Sequence, residues 1–199
     1  MKNDFDFIAP FYDHITQIIF GDTLSESQKW LINQLKKDTE VLIIGGGTGK
    51  SFEGVKKDFS ITYLEKSNKM INLAKRRLSN AKVQFLCKDF FQWETGLKYD
   101  AVVLPFFLDC FDDRHLNVAI EKCKTLLKKE GRLLVADFDR KKTNPILNLS
   151  MHLFFSVFSN LESKRLKDIH ENILKNGFLS EDEEFSHRGM IFSRVYGNP

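Results

Sequence analysis

Val41-Leu-Ile-Ile-Gly-Gly-Gly-Thr-Gly49, running on into Lys50-Ser51, is the stretch that decides how this 199-residue chain folds. Residues 41–44 are a short, unbroken apolar run with β-branched side chains, as expected of a strand buried on both faces. Three glycines, Thr48 and Gly49 follow, and apolar spacing resumes with Phe52 and Val55. The pattern predicts a buried strand, a glycine turn and the start of a helix. Glycines in such a turn allow positive φ and let a ligand approach main-chain N–H groups.

Two phosphate-binding loops fail to match. The dinucleotide fingerprint Gly-x-Gly-x-x-Gly is met by Gly45 and Gly47, but Lys50 stands where the third glycine belongs. A Walker loop ending in Gly49-Lys50-Ser51 would need glycine at position 44, which is Ile44. What remains is Gly45-x-Gly47-x-Gly49, with a ligand-free glycine turn as the alternative reading.

The length suits one domain with a substantial core. Thirty basic residues against 27 acidic ones give a net charge of +3, too small an excess to argue for nucleic acid. The short basic clusters (Lys75-Arg76-Arg77 and Arg140-Lys141-Lys142 among them) read as solvated element ends. Cys87, Cys110 and Cys123 are isolated, so neither a disulfide framework nor a zinc site is expected, and a reducing cytoplasm fits. The acidic first residues lack the apolar core of a signal peptide.

Taken in order, residues 5–20 read as an approach segment and a helix from near Pro10, with Ile15, Ile18 and Ile19 at helical spacing. A second helix is expected over about 25–36, opened by a capping box at Ser25 and Gln28, with Trp30, Leu31 and Leu35 inward. Strands are expected at 60–65, 83–87, 100–104 and 131–137, alternating with helices over 67–78 (capped by Ser67) and 113–128. Residues 144–175 carry two helical stretches, and 178–186 with 190–196 form a closing hairpin. The fold class is therefore α/β: a Rossmann-like, seven-stranded, mostly parallel sheet with helices on both faces and a C-terminal antiparallel hairpin.

The glycine loop, Glu65 twenty residues beyond Gly45, the acidic-x-Ser-x-x-Met run Glu65–Met70, Asp89 after strand three and the terminal hairpin together resemble the class I S-adenosylmethionine (SAM) methyltransferases. Within that family the chain is most similar to the small-molecule branch of ubiquinone and menaquinone biosynthesis. That likeness rests on Ala9-Pro-Phe-Tyr-Asp13, on residues 99–109 and on the Leu-Leu-Lys-Lys-Glu-Gly-Arg-Leu-Leu-Val run at 126–135. The resemblance implies one methyltransferase domain over 1–199. Cap helices occupy 1–38, a cofactor-binding core 39–139, a helical lid and substrate region 140–176, and the closing hairpin 177–199.

It also implies SAM as cofactor and S-adenosylhomocysteine (SAH) as product. The expected cofactor contacts are Gly45, Gly46, Gly47 and Gly49 in the loop, and Glu65 with Lys66, Glu65 accepting the ribose hydroxyls. Met70 would cover the adenine or serve simply as core. Asp89 would accept the adenine amino group while the main-chain N–H of Phe90 donates to the ring, a helix cap being the alternative for Asp89. Leu104 and Phe106 end strand four beside the switch point, and Tyr12 is either a lid contact or a plain helix aromatic. The strand-four segment Leu104-Pro-Phe-Phe107 departs from the Asn/Asp-Pro-Pro-Tyr/Phe motif, which argues against methylation of a base nitrogen or a glutamine. Ile43 stands where the family usually carries an acid that organises the methionine end of SAM, so a non-catalytic binding or scaffold protein is the alternative function.

Methyl transfer needs alignment rather than a triad, and no histidine pair has metal-ligand spacing, so no metal is expected. Asp109, His115, His152 and His187 are candidate general bases, with the catalytic residue left undetermined. Residues 146–161, with two apolar stripes and no carboxylate or lysine before Leu161, point with Phe106 and Phe107 to a hydrophobic, aromatic small-molecule acceptor. A homodimer face or a peripheral membrane contact are the alternatives for that segment.

Overall fold

The computed structural model describes residues 9–55, 58–139 and 168–199. Seven strands form a single sheet: β1 Glu40–Ile44, β2 Ser60–Glu65, β3 Val83–Cys87, β4 Tyr99–Pro105, β5 Leu127–Phe138, β6 Leu179–Ser186 and β7 Ile191–Gly197. Their order is β3-β2-β1-β4-β5-β7-β6. The first five strands pair in parallel, and β7 runs antiparallel between β5 and β6. The expected fold class is therefore the one observed, with the hairpin closing through a 3-10 turn at His187–Gly189.

Strand periodicity divides the core. Leu42, Ile44, Val102, Leu104, Leu133 and Val135 face one side, where α4 (Asp113–Leu126) and α5 (Ile169–Lys175) lay down Leu116, Ile120, Ile169 and Ile173. Val41, Ile43, Ala101, Val103, Leu134 and Ala136 face the other, covered by Leu31 of α2 (Thr23–Asn33), Phe52, and Ala74 of α3 (Asn68–Arg77). Both faces are covered, which is why these strands read as unbroken apolar runs. Each fully buried Leu or Ile contributes about 1.5–3 kcal/mol.

Helix starts follow their caps. Ser67 accepts the N–H of Met70 at 3.1 Å and opens α3, whose last turn carries Lys75, Arg76 and Arg77 against the negative helix end. Asp112 accepts the N–H of His115 at 2.8 Å and opens α4. The capping box read at Ser25 does not form. Helix α2 starts at Thr23 with Asp22 at the cap position, so Ser25 already lies inside the helix.

The helix expected after the glycine loop is replaced by a single 3-10 turn, Lys50–Phe52. Phe52 is buried as predicted, but Glu53 is extended and Gly54 takes φ 80°, which ends the turn. Ahead of the sheet, α1 (Tyr12–Phe20) lies against the loop. Among the described residues no helix is long and apolar enough to cross a membrane.

Candidate functional site

The glycine loop leaves β1 at the edge of the sheet where β2, β3, β4 and β5 also end. Its glycines serve different ends. A Cβ on Gly46 would collide with the Tyr63 phenol beneath it, and that phenol donates to the Gly47 carbonyl at 3.2 Å. A Cβ on Gly49 would stand 3.0 Å from the Ala74 Cβ of α3. Gly47, at φ 61°, has nothing within 4 Å of where a side chain would stand. The loop is thus packed from below and open above Gly47, while the N–H groups of Gly45, Gly47 and Gly49 are held by Leu64, Glu65 and Gly46.

Two carboxylates border this opening. Glu65, only 8% exposed at the end of β2, accepts the N–H of Gly47 at 3.1 Å and the N–H of Ser67 at 2.8 Å. It ties the glycine loop to the cap of α3. Asp89, just past β3, accepts the N–H of Phe91 at 2.9 Å and pairs with Lys66 at 2.9 Å. Burial pushes its carboxyl up, but the hydrogen bonds from Lys66 and Phe91 outweigh burial and hold it below the usual carboxylate range. No helix follows Asp89. The 90–93 segment is a turn whose carbonyls at Phe90 and Phe91 accept from Lys122 of α4 at 2.7 and 3.3 Å.

The opposite flank is aromatic and acidic. The Phe107 ring would be 2.6 Å from a Cβ on Gly45, so it rests directly on the loop. Phe107 meets Phe90 at 5.6 Å and Phe111 at 4.8 Å edge to face, and Phe91 closes the ring of four at 5.3 Å from Phe90 and 5.1 Å from Phe111. Beyond Phe107 the turn Leu108–Cys110 carries the buried Asp109, held close to the buried Asp137 of β5. Burial first, and then Asp109, push the Asp137 carboxyl well above its ordinary value.

The start of α1 closes the top. Asp13 accepts the Thr48 hydroxyl at 2.6 Å and pairs with Arg77 of α3 at 2.6 Å, while Arg77 also donates to the Thr48 carbonyl at 3.1 Å. This fixes Tyr12 with its phenol turned inward. Burial, then Cys110, Asp109, Asp13 and Glu65, raise the phenol above its ordinary value.

The structure therefore gathers Tyr12, Gly45, Gly46, Gly47, Gly49, Glu65, Lys66, Asp89 and Phe90 around one opening. Met70 is buried at the start of α3, its N–H held by Ser67. Leu104 is fully enclosed in the core. Phe106, at φ 53°, turns its ring away to Phe138, 5.2 Å distant, so Phe107 is the ring on the loop. Of the candidate bases, Asp109 belongs to this flank. His115 is bonded to Asp112 at 2.9 Å on the far side of Phe91, and His187 sits in the hairpin turn near Thr23. His152 and the 146–161 segment lie outside the described residues.

Asp13, Arg77, Lys122, Tyr63 and Asp137 were not singled out from sequence. Asp13 left a trace there, beside Tyr12 in the 9–13 stretch, and Arg77 was read only as part of a solvated basic cluster, whereas it is half-buried and pairs with Asp13. Among the described residues no three His, Cys, Asp or Glu side chains converge as a metal site.

A family profile described as a methyltransferase domain matches residues 41–131. A malonyl-[acyl-carrier protein] O-methyltransferase of Priestia megaterium is 29% identical over 146 residues, covering 69% of this chain and 51% of that protein. The same enzyme of Acetivibrio thermocellus is 29% identical over 128 residues, covering 59% and 44%. The chain thus spans about half the length of the curated relatives it matches. Among solved structures, the complex between the Haloferax volcanii Trm112 methyltransferase activator and its methyltransferase contains a chain matched with TM-score 0.74 at 14% identity, over 100% of this chain and 99% of that one. The N-methyltransferase NodS of Bradyrhizobium japonicum in complex with SAH matches with TM-score 0.69 at 13% identity, over 94% and 98%.

Proposed function

We propose, for a chain that belongs to the class I SAM-dependent methyltransferases, that it transfers a methyl group from SAM to an apolar, aromatic or quinol-like small molecule and releases SAH. The observation that carries the reading is the opening itself. Open space at Gly47, whose N–H is held by Glu65, stands between two carboxylates from successive strand ends, at the switch point between β1 and β4.

The residues present fit an adenosyl group. The space above Gly47 admits a ligand against the loop, and Glu65 suits a pair of ribose hydroxyls. Asp89, kept ionised by Lys66, suits an exocyclic amine. When bound, SAM supplies an electrophilic methyl on a sulfonium. The chain's own part is to orient and to keep water out: Tyr12 covers the loop from α1, and the Phe90, Phe91, Phe107 and Phe111 rings wall the acceptor side. Those rings support an aromatic acceptor over a polar one. On this reading residues 1–199 act as one cytoplasmic methyltransferase domain, with 140–176 supplying the rest of the acceptor pocket.

A non-catalytic relative is the second reading, favoured by Ile43. That side chain is fully buried against Leu31 and Phe52 and offers nothing polar to a methionine moiety.

Calorimetry with SAM and SAH separates the two. The expected result is micromolar binding by the native chain and a loss on the order of 100-fold in Glu65→Ala, as two hydrogen bonds to a charged acceptor disappear. A folded native chain that binds neither ligand would sink the enzyme reading. Binding in hand, quinols and phenols are the acceptors to screen.

A further inference from the structure

The turn after β3 is held from within and from without. From within, the Asp89 carboxylate accepts the N–H of Phe91 at 2.9 Å, and the Asp89 carbonyl accepts those of Gln92 at 3.2 Å and Trp93 at 2.9 Å. From without, Lys122 of α4 reaches across to the carbonyls. Its Nζ donates to Phe90 at 2.7 Å, to Phe91 at 3.3 Å and also to Trp93. An ammonium has three N–H donors, and this turn offers an acceptor for each. The same nitrogen lies 5.1 Å from the centroid of the Phe90 ring, so charge and ring are fixed together.

What the pinned turn carries is an acceptor beside a donor. Asp89 gives one oxygen to Phe91 and the other to Lys66 at 2.9 Å, which leaves lone pairs on both. The N–H of the next residue, Phe90, has no acceptor among the described residues, although Phe90 is only 4% exposed. Buried main-chain donors are nearly always paired, so one left over beside a carboxylate marks a place for a ligand. A 6-aminopurine fits such a pair, because its amino N–H stands next to a bare ring nitrogen. A 6-oxopurine reverses both partners.

We propose that Lys122 is a positioning residue for the purine. By gathering three carbonyls of the 90–93 turn, it fixes the Asp89 carboxylate and the Phe90 N–H at the spacing that accepts a 6-amino base and refuses a 6-oxo one. The assignment rests on the methyltransferase reading above and adds to it a residue from α4 that touches no part of the ligand.

The test weighs SAH against S-inosyl-L-homocysteine, its 6-oxo analogue, by displacement calorimetry on the full chain. The native chain is expected to prefer SAH on the order of 100-fold, since the analogue mispairs two polar groups. Lys122→Met keeps the aliphatic stem and removes the ammonium. It should weaken SAH about tenfold, leave the analogue within about twofold, and so narrow the preference to about tenfold. Lys124→Met is the control: Lys124 donates to the Asn176 carbonyl at 2.8 Å and lies 5.7 Å from the Phe178 ring, the same kind of contact made toward α5. Its preference should stay native. Should Lys122→Met fail to fold by circular dichroism, Lys122→Gln, with two donors in place of three, takes its place.

A native preference that survives in the folded Lys122 variant overturns the assignment. So does an equal loss for both ligands, the mark of a merely structural lysine, or a preference narrowed just as far in Lys124→Met. A native chain that binds SAH no better than the analogue overturns the assignment and leaves the methyltransferase reading standing. One that binds neither ligand ends both.

Discussion

The two flanks of the glycine loop are built by different means. The flank at β2 and β3 is made of residues adjacent to strand ends: Glu65 closes β2, Ser67 caps α3, and Asp89 follows β3. Most of their bonds come from main-chain N–H groups within three residues, with the Gly47 N–H on Glu65 and the Lys66–Asp89 pair as the longer links. The flank at β4 and β5 is assembled across the chain: Tyr12 and Asp13 from α1, Phe107 and Asp109 from the β4 turn, Asp137 from β5. The first flank is local and polar, and the second is long-range, aromatic and acidic. On the proposed reading the former flank would recognise the nucleoside and the latter would set what distinguishes this chain.

The sharpest way to break this contrast is Ile43→Asp, which restores the acid that related loops carry. Ile43 is fully buried against Leu31, Phe52 and Val103, so an added charge has no partner there. Chemical denaturation is expected to show a loss of about 2–4 kcal/mol. A variant as stable as the native chain that binds SAM more tightly would show that the loop tolerates the acid and gains from it.

Asp13→Asn probes the long-range flank at lower cost. It removes the pair with Arg77, whose partners are about a quarter exposed, and leaves an acceptor for Thr48. Stability should fall by about 1 kcal/mol or less. SAH release, followed by stopped-flow displacement, should accelerate several-fold because the first turn of α1 is no longer held on the loop. An unchanged release rate would mean that Tyr12 does not cover the ligand.

The smallest effect concerns the local flank. Asp89 is depressed in the folded protein, so its contribution is present above the unfolded carboxylate value and disappears as pH falls through the lower folded value. Lys66→Met moves that loss toward the ordinary carboxylate range. SAH affinity should be nearly unchanged at neutral pH and should decline at a higher pH than in the native chain during acid titration. Coincident acid limbs would show that Lys66 does not set the Asp89 charge.

How far the sequence could be read follows the same division. The strand positions, the mostly parallel sheet with its closing hairpin and the cap at Ser67 were legible because each signal lies within a few neighbouring residues. Phe52 and Val55 looked like a continuing helix, yet Gly54 between them takes a positive φ and stops the chain after one turn. Phe106 and Phe107 are indistinguishable by type. Only the left-handed backbone at Phe106 decides that the second ring meets the loop. Asp13 touching both Thr48 and Arg77, and Asp137 holding the turn after β4, join segments that no local pattern connects.

Strand β6 bears on how copies of this protein meet. Among the described residues it is one of the sheet's two edge strands, opposite β3, and Glu181, Asp182, Glu183 and Glu184 run consecutively along it, all exposed. Glu181 is engaged by Arg132 and Glu183 by Arg194, which leaves the alternate acids pointing the other way. Two such strands laid side by side would bring like charges to within about 5 Å at neutral pH, a spacing at which repulsion defeats ladder formation. The open edge is thereby kept from polymerising. At neutral pH the β6 edge is thus unsuited to a twofold contact between copies, and acidification, by neutralising β6, is the condition under which clumping through this edge should first appear.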